Sequence, residues 1–458
     1  MAKPSIPYGK QVIDRDDIAA VEEALRSAWL TTGPRVGEFE RAFAEFCGAA
    51  EGVAVNSGTA ALHAAIRALN VCAGDEVIVP AITFAASSNA VVYEGGTPVF
   101  ADVETDTLLI DPSDVEAKIT PRTKAIVAVD YGGQPADYDA LRALAARRGI
   151  KIVSDACHAP GATYRGRKVG TIADLSAFSF HPVKHLTTCE GGMVLTDDAG
   201  MAEHMRRFRN HGIDSDHRSR EKTGTFAYDM VELGYNYRLP DIQCALGISQ
   251  LKHLPQWLVR RQAIAARYDE MFASLPFARP LVTRSDRTNA YHLYVIRLDL
   301  QALKIDRRRA FDHLRASGIG ANVHYKPVHL LSHYRELGYR AGICPVAEDA
   351  YRRILTLPLY PAMTEEQVRI EPDLPEQLLV VVDDQRGVAM GQQVQPVANA
   401  ARPGDVGQEG GILHAARRQH RGQVGQRALP NEFLDHAVVY LNDVGRARPG
   451  LEPGQVVA

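Results

Sequence analysis

The segment "AIVAVDYGGQPADYDALRALAARRGIKIVSDA" (residues 125–156) places an amphipathic stretch between two apolar runs. The apolar runs "AIVAVD" (125–130) and "KIVSDA" (151–156) are short and uninterrupted, which predicts strands buried on both faces. Between them, "DYDALRALAARRG" (137–149) has helical periodicity and ends at a glycine. A strand, a helix and a second strand at this spacing predict a parallel strand–helix–strand unit.

The same alternation continues on both sides of this unit. Further strands are predicted at "EVIVP" (76–80), "PVFADV" (98–103), "DLSAFSF" (174–180) and "GMVLTDD" (192–198), and helices at "DRDDIAAVEEALRSAW" (14–29) and from Thr59 to Leu69. Acidic residues at the start of the first of these helices suit the helix dipole. The pattern predicts an α/β fold in which helices cover a mainly parallel sheet.

The composition changes twice along the chain, which predicts three regions. Residues 1–254 form a large α/β domain in this interpretation, and 255–369 form a smaller α+β domain that begins with a long helix near Pro255. Residues 370–458 are rich in Gln, Gly, Arg and Pro, so they offer little apolar surface to offset the entropy of ordering. We expect a poorly ordered tail there, or an altered reading frame.

The overall composition is that of a soluble globular protein. Of 458 residues, 46% are hydrophobic and 23% charged, and a net charge of −3 gives no global attraction to nucleic acid or to an anionic membrane. No apolar run approaches the roughly 20 residues that span a bilayer, and the first residues contain no apolar signal core. Six scattered cysteines predict reduced, mostly buried thiols and neither disulfides nor a zinc site. These features indicate a cytoplasmic location.

Two short motifs could bind an anionic ligand. Ser57, Gly58 and Thr59 directly precede a predicted helix, where free N–H groups and the positive helix end can hold a phosphate, although a simple helix cap explains them as well. Asp155 ends a predicted strand, the place where ligands meet open α/β sheets, although an aspartate there also commonly caps a turn. The adjacent Cys157 and His158 lack the usual spacing of metal ligands, so we predict no metal site.

Lys184 lies in the turn "FSFHPVKHLTTCEGG" (178–192), between two predicted strands. It is either a solvated loop cation or an amine held away from water as a nucleophile. Ser179 offers a further hydroxyl, and Phe84, after another strand, offers either a flat apolar surface or core packing. A phosphate site, a strand-end carboxylate, an aromatic ring and a turn lysine together predict binding of pyridoxal 5′-phosphate, whose aldehyde forms an imine with lysine.

The chain also resembles a known family. The motifs "LTTGPRVGEFE", "NSGTAALH", "PAITFAASSN", "SDACHAPGATYRGRKVG", "FSFHPVKHLTTCEGG" and "LGYNYRLPDIQCALGISQL" are similar in order and spacing to those of the DegT/DnrJ/EryC1/StrS sugar aminotransferases, from about residue 6 to residue 369. The resemblance implies the fold-type I architecture of pyridoxal-phosphate enzymes, with a mainly parallel seven-stranded sheet in the large domain. Relatives with histidine in place of the lysine are dehydratases, so Lys184 favours transamination.

The resemblance implies a role for each matching residue. Lys184 would bind the cofactor as an imine, Asp155 would pair with the pyridine nitrogen, Phe84 would stack on the ring, and His158 would lie close to it. The phosphate would be surrounded by Ser57, Gly58, Thr59 and Ser179. Asn236 is expected to reach the phosphate in a neighbouring subunit, which implies a homodimer with shared active sites.

A narrower resemblance, carried by "VDYGGQPADYDAL", "HPVKHLTTCEGG" and "GANVHYKPVH", points to transaminases of the pseudaminic-acid pathway. It implies amination at C4 of a UDP-linked 4-keto-6-deoxy-N-acetylhexosamine, with glutamate as the amino donor. The implied substrate contacts are Tyr8, Ala28, Trp29, Leu30, Thr31, Gly58, Ser179, Asn236, His324, Tyr325, Lys326 and Pro327. Two alternatives stay open, namely an aminotransferase for a dTDP- or GDP-linked keto sugar and a cofactor-binding regulator without turnover.

Overall fold

The strand–helix–strand unit predicted from residues 125–156 is present in the computed structural model, which describes residues 6–215 and 217–369. Its strands are Thr123–Val129 and Lys151–Asp155, paired in parallel, and its helix is Tyr138–Ala146. Every strand residue from Ala125 to Val129 is buried, as the uninterrupted apolar run predicted.

Twelve strands and fourteen α-helices make up the described chain. The strands are β1 (Glu51–Val55), β2 (Glu76–Pro80), β3 (Thr97–Ala101), β4 (Thr123–Val129), β5 (Lys151–Asp155), β6 (Thr163–Tyr164), β7 (Arg167–Lys168), β8 (Leu175–Ser179), β9 (Gly192–Thr196), β10 (Ala278–Pro280), β11 (Tyr294–Leu298) and β12 (Ile354–Leu357). The helices are α1 (Arg15–Arg26), α2 (Pro34–Cys47), α3 (Gly58–Ala68), α4 (Ala86–Tyr93), α5 (Pro112–Lys118), α6 (Tyr138–Ala146), α7 (Ala199–Phe208), α8 (His217–Thr223), α9 (Asp241–Phe272), α10 (Leu300–Leu303), α11 (Arg307–Ala316), α12 (Ser332–Glu336), α13 (Pro345–Arg353) and α14 (Glu365–Arg369).

The main sheet has seven strands in the order β1-β9-β8-β5-β4-β2-β3. Strands β3, β2, β4, β5 and β8 are parallel to one another, and only β9 runs antiparallel to its neighbours β8 and β1. The prediction of a mainly parallel seven-stranded sheet is therefore confirmed.

Apolar side chains pack on both faces of this sheet. Because neighbouring residues of a strand point to opposite faces, Val77 and Val79 of β2 enter one core, and Ile78 enters the other. Helix α3 covers one face where it contacts β8 and β9, and α2 covers the other, next to β1. The carboxyl ends of the buried parallel strands therefore lie along one edge of the sheet, and the candidate site lies at this edge.

A smaller antiparallel sheet, β10-β11-β12, accounts for the predicted α+β region. Its core contains residues of β11, α11 and the second half of α9. Helix α9 differs from the prediction, because it begins at Asp241 and runs through Pro255. It therefore crosses the predicted domain boundary between residues 254 and 255. Pro255 lacks an N–H for the helical ladder, and contacts of α9 with α1 and α2 offset that loss.

The remaining sequence predictions concern cysteines, membranes and the tail. All six cysteines are free, but the expectation of mostly buried thiols is only half right, because Cys72 and Cys189 are exposed and Cys157 is partly exposed. Among residues 6–215 and 217–369, no helix is both long and apolar enough to cross a membrane. The tail predicted at residues 370–458 lies outside the described residues.

Candidate active site

A cavity of about 440 Å³ lies where the carboxyl ends of β4, β5 and β8 meet the start of α3. The carboxyl ends of parallel strands lie along one edge of the sheet, and ligands of open α/β sheets bind at that edge. The cavity brings together eleven residues singled out from the sequence. They are Tyr8, Ser57, Gly58, Thr59, Phe84, Asp155, His158, Ser179, Lys184, His324 and Tyr325.

The other predicted site residues do not line this cavity in the described chain. Ala28, Trp29, Leu30 and Thr31 lie between α1 and α2, and Thr31 borders a separate cavity of about 690 Å³ with several arginines. Lys326 is exposed and Pro327 is buried just beyond the cavity wall. Asn236 is also exposed, and its backbone pairs with Asn210.

Lys184 projects into the cavity from the turn between β8 and β9. Its Nζ atom lies 3.5 Å from Nε2 of His292. Burial lowers the pKa of Lys184 below the usual value for lysine, while the nearby Cys157 and Asp155 oppose that shift. Lys184 is partly buried and lines the cavity, and these surroundings suit a nucleophile better than a solvated loop cation.

Asp155 is buried at the end of β5 and accepts two hydrogen bonds. The Ser87 hydroxyl donates to Oδ2 at 2.6 Å, and the Cys157 N–H donates to Oδ1 at 3.3 Å. Thr83 Oγ1 lies 2.7 Å from the Ser87 hydroxyl and holds it in place. The carboxylate therefore caps the following turn through one oxygen, and its other oxygen belongs to a network at the cavity wall.

The start of α3 has the features of an anion site. Ser57 caps the helix, since its Oγ accepts from the Ala60 N–H at 3.0 Å. The N–H groups of Gly58 and Thr59 belong to the first turn, which has no helical partners for them. A Cβ on Gly58 would lie 2.7 Å from Cβ of Ser179, so the glycine allows the helix to approach β8. Hydroxyl and N–H donors from the start of α3 and the end of β8 therefore lie close together.

Aromatic rings and histidines form the rest of the wall. Phe84 is 59% exposed, so the alternative of core packing is wrong for it, and its ring lies 6.1 Å from that of Tyr325. His158 is buried, with Nε2 3.2 Å from the Tyr325 hydroxyl. Burial lowers the pKa of His158, and Lys184 lowers it further whenever its amine is charged. The imidazole is therefore neutral at physiological pH.

Sequence reasoning missed four residues that shape the site. Ser87 holds Asp155, His292 contacts Lys184, and the buried His185 donates Nε2–H to the carbonyl of Ala290. The Tyr131 hydroxyl donates to the carbonyl of His324, which ties the segment after α11 to the end of β4. His185, Ser87 and Tyr131 lie within the motifs "FHPVKH", "PAITFAASSN" and "VDYGGQPADYDAL", whereas only the folded chain brings His292 close to the site.

These residues fit pyridoxal 5′-phosphate in three respects. The start of α3 and Ser179 supply uncharged donors for a phosphate, Asp155 supplies a buried carboxylate for a ring nitrogen, and Lys184 supplies an amine for an aldehyde. The carboxylate and the amine border the same cavity, and the exposed ring of Phe84 faces it. The chemistry of the donor set therefore matches the group.

Comparisons with known proteins agree with this chemistry. Residues 11–370 match the DegT/DnrJ/EryC1/StrS aminotransferase family. The spore coat polysaccharide biosynthesis protein SpsC of Bacillus subtilis (strain 168) is 41% identical over 366 residues, which cover 79% of this chain and 94% of that protein.

Solved structures of the same kind superimpose closely. PseC of Helicobacter pylori, an aminotransferase involved in the biosynthesis of pseudoaminic acid, is 34% identical, with a TM-score of 0.77, 83% of this chain covered and 100% of that chain. Spr1654 of Streptococcus pneumoniae is 35% identical in its PLP and PMP forms, with TM-scores of 0.76 and 0.77, 83% of this chain covered and 99% of that one. This chain therefore belongs to the DegT/DnrJ/EryC1/StrS aminotransferase family, whose cofactor is pyridoxal 5′-phosphate.

Proposed function

We propose that this aminotransferase transfers an amino group from glutamate to C4 of a UDP-linked 4-keto-6-deoxy-N-acetylhexosamine, UDP-2-acetamido-2,6-dideoxy-β-L-arabino-hex-4-ulose, in pseudaminic acid biosynthesis. The observation that carries the catalytic part of the proposal is the buried amine of Lys184, which shares one cavity with the Asp155 carboxylate. The sequence motif "GANVHYKPVH" and the similarity to PseC support the choice of sugar.

Different residues of this chain would bind different parts of the cofactor. Ser57, Gly58, Thr59 and Ser179 would hold the phosphate. Asp155 would keep a proton on the pyridine nitrogen, and Phe84 would cover one face of the ring. When bound, pyridoxal 5′-phosphate supplies an aldehyde carbon that receives the amino group and a protonated ring that withdraws electrons from that carbon.

Lys184 has two tasks in this proposal. Its Nζ atom would hold the cofactor through the aldehyde between turnovers, in the cavity that Asp155 also lines. As a free amine, Nζ accepts the proton from Cα of the amino donor and later delivers a proton to C4 of the sugar. The lowered pKa of Lys184 suits this role, because a base must be uncharged before it can accept a proton.

Tyr8, His324 and Tyr325 would form the sugar side of the cavity. The Tyr8 and His324 rings lie 5.5 Å apart, and they present flat surfaces with polar edges. Burial lowers the pKa of His324 to about 4, so this imidazole is neutral, and its Nδ1 and Nε2 lie 2.9 Å from Thr356 Oγ1 and 3.4 Å from Asn322 Nδ2. A neutral polar wall suits hydroxyl and keto groups of a sugar.

A second candidate is an aminotransferase for a different nucleotide-linked 4-keto sugar. It is favoured by the 41% identity to SpsC, a protein of spore coat polysaccharide biosynthesis. The two candidates share every residue that would hold the cofactor. They differ in the nucleotide and in the stereochemistry of the sugar.

We also infer a homodimer with shared sites. The segment between α8 and α9 exposes several large apolar side chains, including Phe226 at 94% and Leu233 at 71%. Large exposed apolar patches mark interaction surfaces, and this one leads directly to the exposed Asn236. A second copy of the chain would cover the patch and bring Asn236 to the partner's phosphate.

Two half-reactions test the proposed substrate separately. Glutamate alone should convert the visible absorption of the purified protein from the aldehyde form to the amine form of the cofactor. The UDP-linked 4-keto-N-acetylhexosamine should then reverse the change faster than the dTDP- and GDP-linked 4-keto sugars. Reversal by a dTDP or GDP sugar only would reject the proposed substrate and favour the second candidate.

A further inference from the structure

His292 approaches Lys184 from a distant part of the chain. It lies just before β11, 108 positions after the lysine, and its Nε2 is 3.5 Å from Nζ. Its side chain is buried, and its ring centroid is 4.4 Å from that of His158 and 5.7 Å from that of His185. A histidine that contacts the proposed nucleophile directly can control the state of its amine.

The backbone around His292 is fixed on both sides. The N–H groups of Ala290 and Leu293 donate to the carbonyls of Gly133 and Gly132, at 2.9 and 3.1 Å. Gly133 has a φ of +117°, and a Cβ there would lie 2.5 Å from the backbone nitrogen of Tyr291. Only glycine permits this approach, so the turn after β4 sets the position of His292.

A buried cation also binds the backbone next to His292. Arg261 of α9 donates from Nη1 to the carbonyls of Tyr291 and Leu359, at 3.1 and 3.0 Å. No carboxylate accepts a hydrogen bond from Arg261 within the described residues. A positive charge there disfavours a second charge on His292 or His185, which burial already disfavours.

The hydrogen-bonding of His292 indicates its tautomer. Its Nδ1 is buried and has no partner among the described residues. A proton on Nδ1 would leave a buried N–H unpaired, which is rare, whereas an unpaired acceptor is tolerated more often. The proton therefore belongs on Nε2, which faces Lys184. An N–H can donate only to a lone pair, and an ammonium group has none.

We propose that His292 is a positioning residue that holds Lys184 as an uncharged amine, by donating Nε2–H to the lone pair of Nζ. The inference rests on the proposed role of Lys184 and deepens it, because it explains how the lysine stays able to accept protons. The other titratable or charged groups around the pair are Tyr8, Lys10, Tyr131, Asp155, Cys157, His158, His181, His185, Glu190, Arg261, His324 and Tyr325. Of these, Cys157 and Asp155 act against the neutral amine, and Arg261 disfavours a charge on His292.

The test measures the pKa of the Lys184 amine in the full-length protein after removal of the cofactor. A trace of acetic anhydride labels amines in proportion to their uncharged fraction, and mass spectrometry of the Lys184 peptide across a pH series gives the midpoint. Exposed Lys124 in the same digest serves as an internal reference. We expect His292→Phe to raise the Lys184 midpoint by about one pH unit, a tenfold change in the protonation equilibrium.

Two variants separate this role from packing. His292→Gln keeps an N–H donor near the place of Nε2, so its midpoint should stay close to that of the unchanged protein. His333→Phe, at an exposed position on α12, should leave the midpoint unchanged. An unmoved midpoint in His292→Phe, or equal shifts in the Phe and Gln variants, would overturn the inference. Because no cofactor is present, neither result depends on whether Lys184 binds pyridoxal phosphate.

Discussion

At the scale of single residues, the carboxylate of Asp155 should control the rate of proton transfer rather than the binding of the cofactor. We expect Asp155→Asn to lower kcat by about 10²-fold or more, because the amide cannot stabilise a positive charge on the ring nitrogen. Cofactor content, measured from the absorption spectrum, should change little. The measurement is single-turnover kinetics with glutamate.

Ser87→Ala is the matched control for that variant. It removes the 2.6 Å hydrogen bond to Asp155 but leaves the charge, so a smaller loss of about tenfold is expected. Full kcat in Asp155→Asn would contradict the role of the carboxylate. A larger loss in Ser87→Ala than in Asp155→Asn would mean that the hydroxyl, and not the negative charge, is the more important group.

The sequence predicted those site residues that can be recognised from their residue type and from their position next to a strand or a helix. Lys184 and Asp155 follow apolar strands, and Ser57 precedes a helix, so short stretches reveal them. His292 and Ser87 were missed because their roles depend on contacts over 108 and 68 positions along the chain. An ordinary histidine beside a strand and an ordinary serine in a helix carry no local signal of such contacts.

At the scale of elements, the contact between α3 and β8 should set the affinity for the cofactor phosphate. Gly58→Ala would place a Cβ 2.7 Å from Cβ of Ser179 and push the start of α3 away. We expect the Kd for pyridoxal phosphate to rise about tenfold or more, which corresponds to about 1.4 kcal/mol. Equilibrium titration of the cofactor-free protein measures the change.

Two controls accompany Gly58→Ala. Gly37→Ala, inside α2, meets only the flexible end of Arg41, so the cofactor affinity should stay unchanged. In a protein that already carries Ser179→Gly, which lacks both the clashing Cβ and the Ser179 hydroxyl, Gly58→Ala should cost much less affinity. An unchanged Kd in Gly58→Ala would show that the approach of these two elements does not shape the phosphate site.

The strand ends also contain a carboxyl group whose charge should depend on pH. Asp130 follows β4, and burial raises its pKa to about 7, although Tyr138, Ala136 and Ser154 donate hydrogen bonds to it. A raised pKa means that the folded state binds the proton more tightly than the unfolded state. Between about pH 4 and pH 7 the contribution of Asp130 to stability therefore falls as pH rises, by about 1 kcal/mol per unit.

Asp130→Asn removes this dependence while its amide can still pair with the same neighbours. Urea unfolding of both proteins from pH 5 to pH 8 should show the variant gaining stability relative to the unchanged protein up to about pH 7, and no further gain above it. A stability difference that stays constant across this range would contradict the raised pKa of Asp130.

Helices and strands were predicted well where their hydrophobic pattern is regular. They were predicted poorly where tertiary contacts determine whether and where the element forms. The buried parallel strands and helices α1, α3 and α6 follow from apolar runs and periodicity. The predicted start of α9 was too late, because a proline such as Pro255 usually interrupts a helix. In the folded chain, α9 continues through Pro255 and packs against α1 and α2. Strand β1 was not predicted, since "EGVAV" is short and contains a glycine that disfavours strands.

At the scale of the whole molecule, mixing two inactive variants tests whether the sites are shared. Lys184→Ala and Asn236→Ala should each be nearly inactive alone. After subunit exchange, half of the dimers should carry one chain of each kind, and each should have one intact site. About a quarter of the normal activity should return if Asn236 acts across the interface.

No recovery of activity after demonstrated exchange would mean that Asn236 acts within its own chain or not at all. Disrupting the patch gives an independent control, because Phe226→Asp/Leu233→Asp should shift light scattering from dimer to monomer. The sequence could suggest this interface only through family resemblance. In the proposed homodimer, the exposed Asn236 would contribute to the partner's site.

The role of Lys184 is tested most directly by borohydride reduction of the holoenzyme, followed by digestion and mass spectrometry. We expect one phosphopyridoxyl adduct, on Lys184, and none in Lys184→Arg, whose guanidinium group cannot form the bond. A reduced protein without an adduct, or with the adduct on another lysine, would contradict the assignment of Lys184 as the residue that binds the cofactor.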